Sequence, residues 1–171
     1  MKLLNIIKNN LFIQNFVASI VSLIPSYFEF SVAKYLAIKK AMLITAQDNT
    51  RGSYLEFGVF TGSSFNFAMK VNKQIEKLGY GDMDCEFIGF DSFKGFGDVK
   101  KNDEHPNYKD HAFIVNEKKV LRNIEKCAKK QKFRIIKGFY QDTIENKTTK
   151  DLTIDKARVV MIDCDLKEST R

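Results

Sequence analysis

Apolar residues recur along this chain with two different periods. Between Leu11 and Ala46 they return at helical spacing, and from Tyr54 onward short continuous apolar runs alternate with amphipathic stretches. In the first region Ile13, Phe16, Val17, Ile20 and Ile24 share one side of a helix that Pro25 is expected to break, and a second helix is predicted from about Val32 to Ala46. The apolar runs predict strands over residues 54–59, 86–90, 133–136 and 158–162. Between them, Ala68, Val71, Ile75 and Leu78 mark a helix ended by Gly79, and residues 120–128 form the heart of another. This βαβα rhythm predicts an α/β fold with a parallel sheet and helices on both faces. Ligands of such sheets sit beyond the carboxyl ends of the strands. No internal repeat or low-complexity linker interrupts the pattern. The expected division is an N-terminal helical segment over residues 1–50, serving as a lid or oligomer contact, and a cofactor-binding domain over residues 51–171.

The first strand ends in Glu56-Phe57-Gly58-Val59-Phe60-Thr61-Gly62-Ser63-Ser64. Gly58 and Gly62 would let the turn approach a ligand closely, and Ser63 or Ser64 can cap the next helix. The spacing is Gly-x-x-x-Gly rather than Gly-x-Gly-x-x-Gly, which removes the main support for a nicotinamide dinucleotide and favours methyl transfer from S-adenosylmethionine. Asp91 closes the second strand about thirty residues beyond the glycine turn, the place where a βαβ site holds a ribose diol. It can equally cap the turn Ser92-Phe93-Lys94-Gly95. Gly138, Tyr140, Gln141 and Asp142 follow the third strand and can meet adenine or substrate, although Asp142-Thr143 also reads as a cap. Asp163 and Asp165 end the fourth strand pointing the same way. Two such hard oxygen donors suit Mg²⁺. If the chain turns at once after Asp163, only that residue reaches the metal and Asp165 caps the next helix.

Composition narrows the class. With 171 residues, 44% of them hydrophobic, the chain can bury a real core, so disorder is not expected. The net charge of +7 comes from scattered lysines, and the run Lys129-Lys130-Gln131-Lys132 has no interleaved aromatics, so a solvated face is expected and not a nucleic-acid stripe. Cys85, Cys127 and Cys164 lack paired spacing, which fits a reducing cytoplasm and suggests neither disulfides nor zinc. Lys2 and Lys8 precede the apolar run from Leu11 to Ile24 as a signal peptide's basic region would. However, Gln14 and Asn15 interrupt that run, it is shorter than the ~20 residues of a span, and no small-x-small cleavage pattern comes after it. The expected form is an amphipathic helix packed on the domain, on a second subunit or on a membrane surface, with a homo-oligomer contact favoured over lipid. His105 and His111 fall in the polar stretch 100–110, a loop that suits a lid or substrate contact, and each reads first as a surface histidine. The fifteen phenylalanines read as packing.

Four blocks carry a resemblance that no single one would: YLEFGVFTGSSF, FIGFDSFKGF, IIKGFYQDTI and VVMIDCDLKEST. In order and spacing they resemble the class I methyltransferases of the macrocin O-methyltransferase family, over roughly residues 54–170. The resemblance implies a Rossmann-like sheet of order 3-2-1-4, with later strands absent from this sequence, and O-methylation of a sugar hydroxyl on a glycosylated product using S-adenosylmethionine and Mg²⁺. It implies that Glu56, Gly58 and Gly62 face the methionine part of the cofactor, that Asp91 holds the ribose, and that the Ser92-Phe93 pair lines the adenine side; Phe57, Ser63 and Gly138 are expected among the cofactor contacts. Asp163 would be metal ligand and general base, while Asp165 is expected as a metal ligand only from the pairing of the two acids. Two departures stand out: Cys164 and Lys167 occupy positions where the family usually has glycine and tyrosine. The chain is expected to be a C-terminally truncated member. Three other readings remain: a non-catalytic domain that keeps the cofactor fold, a protein anchored at a membrane surface by its first helix, and a methyltransferase of another small molecule.

Overall fold

The computed structural model describes residues 10–80, 84–96 and 113–164, the side chains of residues 26 and 27 apart. His105, His111 and Asp165 lie outside the described residues.

Helix α1 spans Leu11–Ser22 because Asn10 caps it, its side-chain oxygen accepting the Phe12 and Ile13 N–H groups at 3.0 and 3.2 Å. Pro25 separates it from α2, Ser26–Gln47, which begins well before the expected Val32. The proline carbonyl accepts the Phe28 N–H at 2.9 Å, so the residue that ends one helix also starts the next. By its internal contacts the chain divides into Met1–Leu36 and Ala37–Arg171, a boundary inside α2.

The second unit holds β1 (Ser53–Phe57), α3 (Ser63–Lys77), β2 (Phe87–Asp91), α4 (Glu117–Ala128), β3 (Phe133–Lys137), α5 (Tyr140–Thr143) and β4 (Ala157–Ile162). The four strands are parallel in the order β3-β2-β1-β4, as expected, with Glu56 opposite Gly89 and Met161, and Phe57 opposite Phe90 and Ile162. Strand alternation divides the core in two. Tyr54 and Phe87 join Phe65 of α3 in one cluster, with ring centroids 5.6 to 6.2 Å apart, and Ile38, Met42 and Ala46 of α2 pack into the same cluster. On the opposite face Leu55, Ile88, Phe90 and Ile154 are buried, and Phe57 stacks on Phe90 at 4.6 Å. Gly89 is the one residue type that fits mid-sheet, since a Cβ there would lie 2.6 Å from Val59 and 2.7 Å from Ile135.

Two details differ from the expected pattern. The N-cap of α3 is Gly62, in the left-handed region at φ 77°, and neither Ser63 nor Ser64 caps the helix. Both serines lie inside the first turn, and the Ser64 hydroxyl is drawn to Glu56 instead. Arg158, which the apolar run places in a strand, is 6% exposed at the start of β4. A register irregularity in the β1–β4 pairing turns it inward, where it donates to Thr45 Oγ1 at 2.8 Å, Asn72 Oδ1 at 3.4 Å and the Met42 carbonyl at 2.7 Å. One cation therefore joins α2, α3 and β4, and burial among neutral partners lowers its pKa.

Burial also pushes the phenols of Tyr54 and Tyr140 well above their ordinary value of 10.0, with Glu56 adding to the effect at Tyr54 and Cys164 at Tyr140. The unfolded chain releases these protons near pH 10 while the folded chain keeps them. The stabilisation is therefore complete below pH 10 and is lost as pH rises above it, by about 1.4 kcal/mol per pH unit for each tyrosine. Urea melts between pH 9 and 11 are expected to show this decline, and Tyr140→Phe is expected to make it shallower.

Candidate active site at the carboxyl edge of the sheet

Chain order runs outward from β1 to β2 and β3, and then reverses to place β4 on the other side of β1. The switch point, where parallel α/β sheets open a crevice, is therefore between the ends of β1 and β4. Gly58 and Asp163 meet there. The Asp163 N–H donates to the Phe57 carbonyl at 2.9 Å, and the Gly58 N–H donates to the Phe90 carbonyl at 3.0 Å. Gly58 has φ 91°, and a Cβ on it would overlap the Asp163 carbonyl oxygen. Gly62 is similarly confined, since a Cβ there would lie 3.2 to 3.3 Å from Ile124 and Val120 of α4. Gly58 is required by the protein's own chain crossing, and Gly62 packs closely on α4, demands of the fold that stand beside any contact with a ligand.

The acids expected at this edge differ in environment. Glu56 is 0% exposed, and its two carboxylate oxygens accept from the Tyr54 hydroxyl at 2.6 Å and the Ser64 hydroxyl at 2.7 Å. It binds β1 to the first turn of α3 and is enclosed. Asp91 is half-buried at the end of β2, and its two oxygens accept the Phe60 and Phe93 N–H groups, each at 2.7 Å. The bond to Phe93 is the turn cap that the sequence offers as the alternative to ribose binding. The bond to Phe60 spans thirty-one residues and fixes the loop after β1 against the loop after β2. Each oxygen retains a second lone pair. Ser92 serves its own turn, accepting from Lys94 N and donating to the Gly95 carbonyl, both at 3.1 Å. Gly138 donates to the Asp91 carbonyl at 3.0 Å, so the third loop also reaches this edge. Asp163 is half-buried beside Gly58.

Replacing Asp91 with alanine releases two charge-assisted bonds from amides whose residues, Phe60 and Phe93, both hold positive φ, at 49° and 56°. The expected loss is about 2–4 kcal/mol of stability, measured by urea denaturation.

Two features escape motif reading. Cys164 is buried, donating its thiol to the Phe57 carbonyl at 3.3 Å and standing 3.2 Å from the Tyr140 hydroxyl, so the side chain found where the resemblance implies glycine is enclosed between the ends of β1 and β3. Phe60, from the connection after β1, and Phe96 and Phe113, from the connection between β2 and α4, converge, with centroids 5.3 Å apart for Phe60–Phe113 and 5.0 Å for Phe96–Phe113. Composition alone assigns these rings to packing, yet Phe60 and Phe113 remain 39% and 40% exposed. The signal that separates them is their position in the connections that follow β1 and β2.

The family model described as Macrocin-O-methyltransferase (TylF) matches residues 33–171. The chain belongs to the macrocin O-methyltransferase family. This macrocin O-methyltransferase family member is also similar in fold to the crystal structure of CalS11, a calicheamicin methyltransferase. That likeness has a TM-score of 0.62 and 20% sequence identity, and it covers 99% of this chain and 67% of that one. No curated protein sequence matches this family member. The family match covers all four strands and the switch point, together with α2 from residue 33 onward.

Proposed function

We propose that this family member is an S-adenosylmethionine-dependent O-methyltransferase whose acceptor is a sugar hydroxyl of a glycosylated metabolite or polysaccharide. The observation that carries this reading is the bond from Phe60 to Asp91, which assembles the loops after β1 and β2 into one edge beside the switch point, within a family described by its methyl transfer. The names of the macrocin and calicheamicin methyltransferases support the transferred group and a natural-product acceptor.

The residues fit the cofactor. Asp91 is partly open and has lone pairs to spare for a ribose diol. The 15-residue helix α3 begins at Gly62 without a side-chain cap, leaving N–H groups and the positive end of the helix dipole for the methionine carboxylate. When bound, the cofactor supplies an electrophilic methyl group on a sulfonium. Glu56 holds the first turn of α3 in place, Gly58 lets β1 and β4 close together, and Asp163 accepts the proton that the acceptor hydroxyl loses as its oxygen takes the methyl group. Mg²⁺ belongs to what the sequence resemblance implies. Among the described residues no group of three or more His, Cys, Asp and Glu is placed to hold an ion, and of the two expected ligands only Asp163 is described.

A thermal melt with and without S-adenosylhomocysteine tests the cofactor site. Saturating ligand at about a hundred times its Kd is expected to stabilise the fold by about 2.7 kcal/mol, which raises the melting temperature by several degrees. A cooperative melt that does not move would remove the reading.

A further inference from the structure

The most exposed apolar surface in the described chain is α1, of which no residue is buried. Phe12, Phe16, Ile20, Val17 and Val21 form one broad arc of the helix, and Phe12 and Phe16 are 79% and 58% exposed. The opposite side carries Asn15, Ser19 and Ser22. The two serine hydroxyls bond inside the helix, to the Asn15 carbonyl at 2.9 Å and the Ser19 carbonyl at 2.8 Å, so that side needs no protein partner. An apolar arc this wide must be covered by something.

Three facts select the cover. A 12-residue helix is about 18 Å long, so its arc falls short of the ~800 Å² per partner of a stable dimer interface. It is also too short to cross a bilayer, and none of the described helices is long and apolar enough to do so. Finally, the sequence has no acid before Glu29, while Lys2 and Lys8 stand ahead of the helix and the chain as a whole carries +7. An apolar helix with Lys2 and Lys8 as the charged residues ahead of it in this sequence is complementary to an anionic lipid surface.

We propose that α1 lies in the headgroup region of an anionic membrane surface, with Phe12, Phe16 and Ile20 in the acyl boundary. The inference does not depend on the methyl-transfer reading, and its test uses no cofactor. The full chain is sedimented with vesicles of phosphatidylcholine mixed with phosphatidylglycerol, beside vesicles of phosphatidylcholine alone, and the double variant Phe16→Glu with Ile20→Glu is run in parallel. The parent is expected in the pellet with anionic vesicles. Partitioning should weaken by about tenfold or more in the double variant, and by about fivefold or more when the anionic lipid is omitted. Because α1 buries none of its residues, the variant should keep the parent's thermal melt, which verifies that it is folded. A parent that stays in the supernatant with anionic vesicles overturns the proposal, as does a variant that pellets as well as the parent. Sedimentation velocity without lipid provides the remaining outcome. A parent dimer that the same substitutions dissociate would assign the face to a second copy and overturn the membrane reading.

Discussion

Asp163→Asn is expected to lower kcat for methyl transfer by about 10²- to 10⁴-fold, the range that removal of a positioned general base produces. The amide keeps the shape of the side chain, and the backbone N–H bond from Asp163 to Phe57 at 2.9 Å is untouched. The crossing of β1 and β4 therefore survives, and the S-adenosylhomocysteine-induced rise in melting temperature should match the parent's. The measurement is an initial rate with methyl-labelled S-adenosylmethionine and a glycoside that the parent turns over, beside the melt. Turnover at the parental rate would remove Asp163 from the reaction. Loss of both turnover and the ligand shift would instead show that Asp163 organises the cofactor loop.

Gly58→Ala is expected to be the most damaging single substitution for stability, costing about 3–5 kcal/mol. Two terms combine: a non-glycine residue in left-handed backbone costs about 1–3 kcal/mol, and the new methyl group meets the Asp163 carbonyl, so the ends of β1 and β4 must separate or strain. Backbone cannot rotate away as the tip of a flexible side chain can. Gly79 provides the comparison, because its φ of 86° is similar and a Cβ there meets nothing within 4 Å. Gly79→Ala should cost only the conformational term, about 1–3 kcal/mol. Equal losses for the two variants in urea denaturation would refute the packing account. A natural domain holds only about 5–15 kcal/mol in total, so Gly58→Ala should also lower the yield of folded protein.

The alternation of apolar runs with helical stripes located every strand to within one or two residues, because a buried strand of a parallel sheet has few polar positions to confuse the pattern. Element edges were less visible. Ser63 and Ser64 look like caps by composition, but Ser64 is taken by Glu56, a residue eight positions away. Likewise α2 starts at Ser26 because Pro25 provides a carbonyl, where the apolar stripe alone points to Val32. The four motif blocks carried the family, since their order and spacing are a property of the sequence. They did not carry the structural duties of the residues within them. Glu56 and Gly58 stand in the first block as expected ligand contacts, and the fold also encloses one and presses the other against Asp163.

By itself the sequence determined the fold class, the family and the end of the sheet where chemistry is expected, because strand periodicity and block spacing are local and linear. Only the tertiary structure decided that Asp91 ties the loops after β1 and β2, that Arg158 turns inward to join α2, α3 and β4, and that α1 keeps its apolar arc exposed. These outcomes depend on which distant groups compete for the same hydrogen bond or the same surface, and pairings across thirty or a hundred residues leave no periodic trace in the chain.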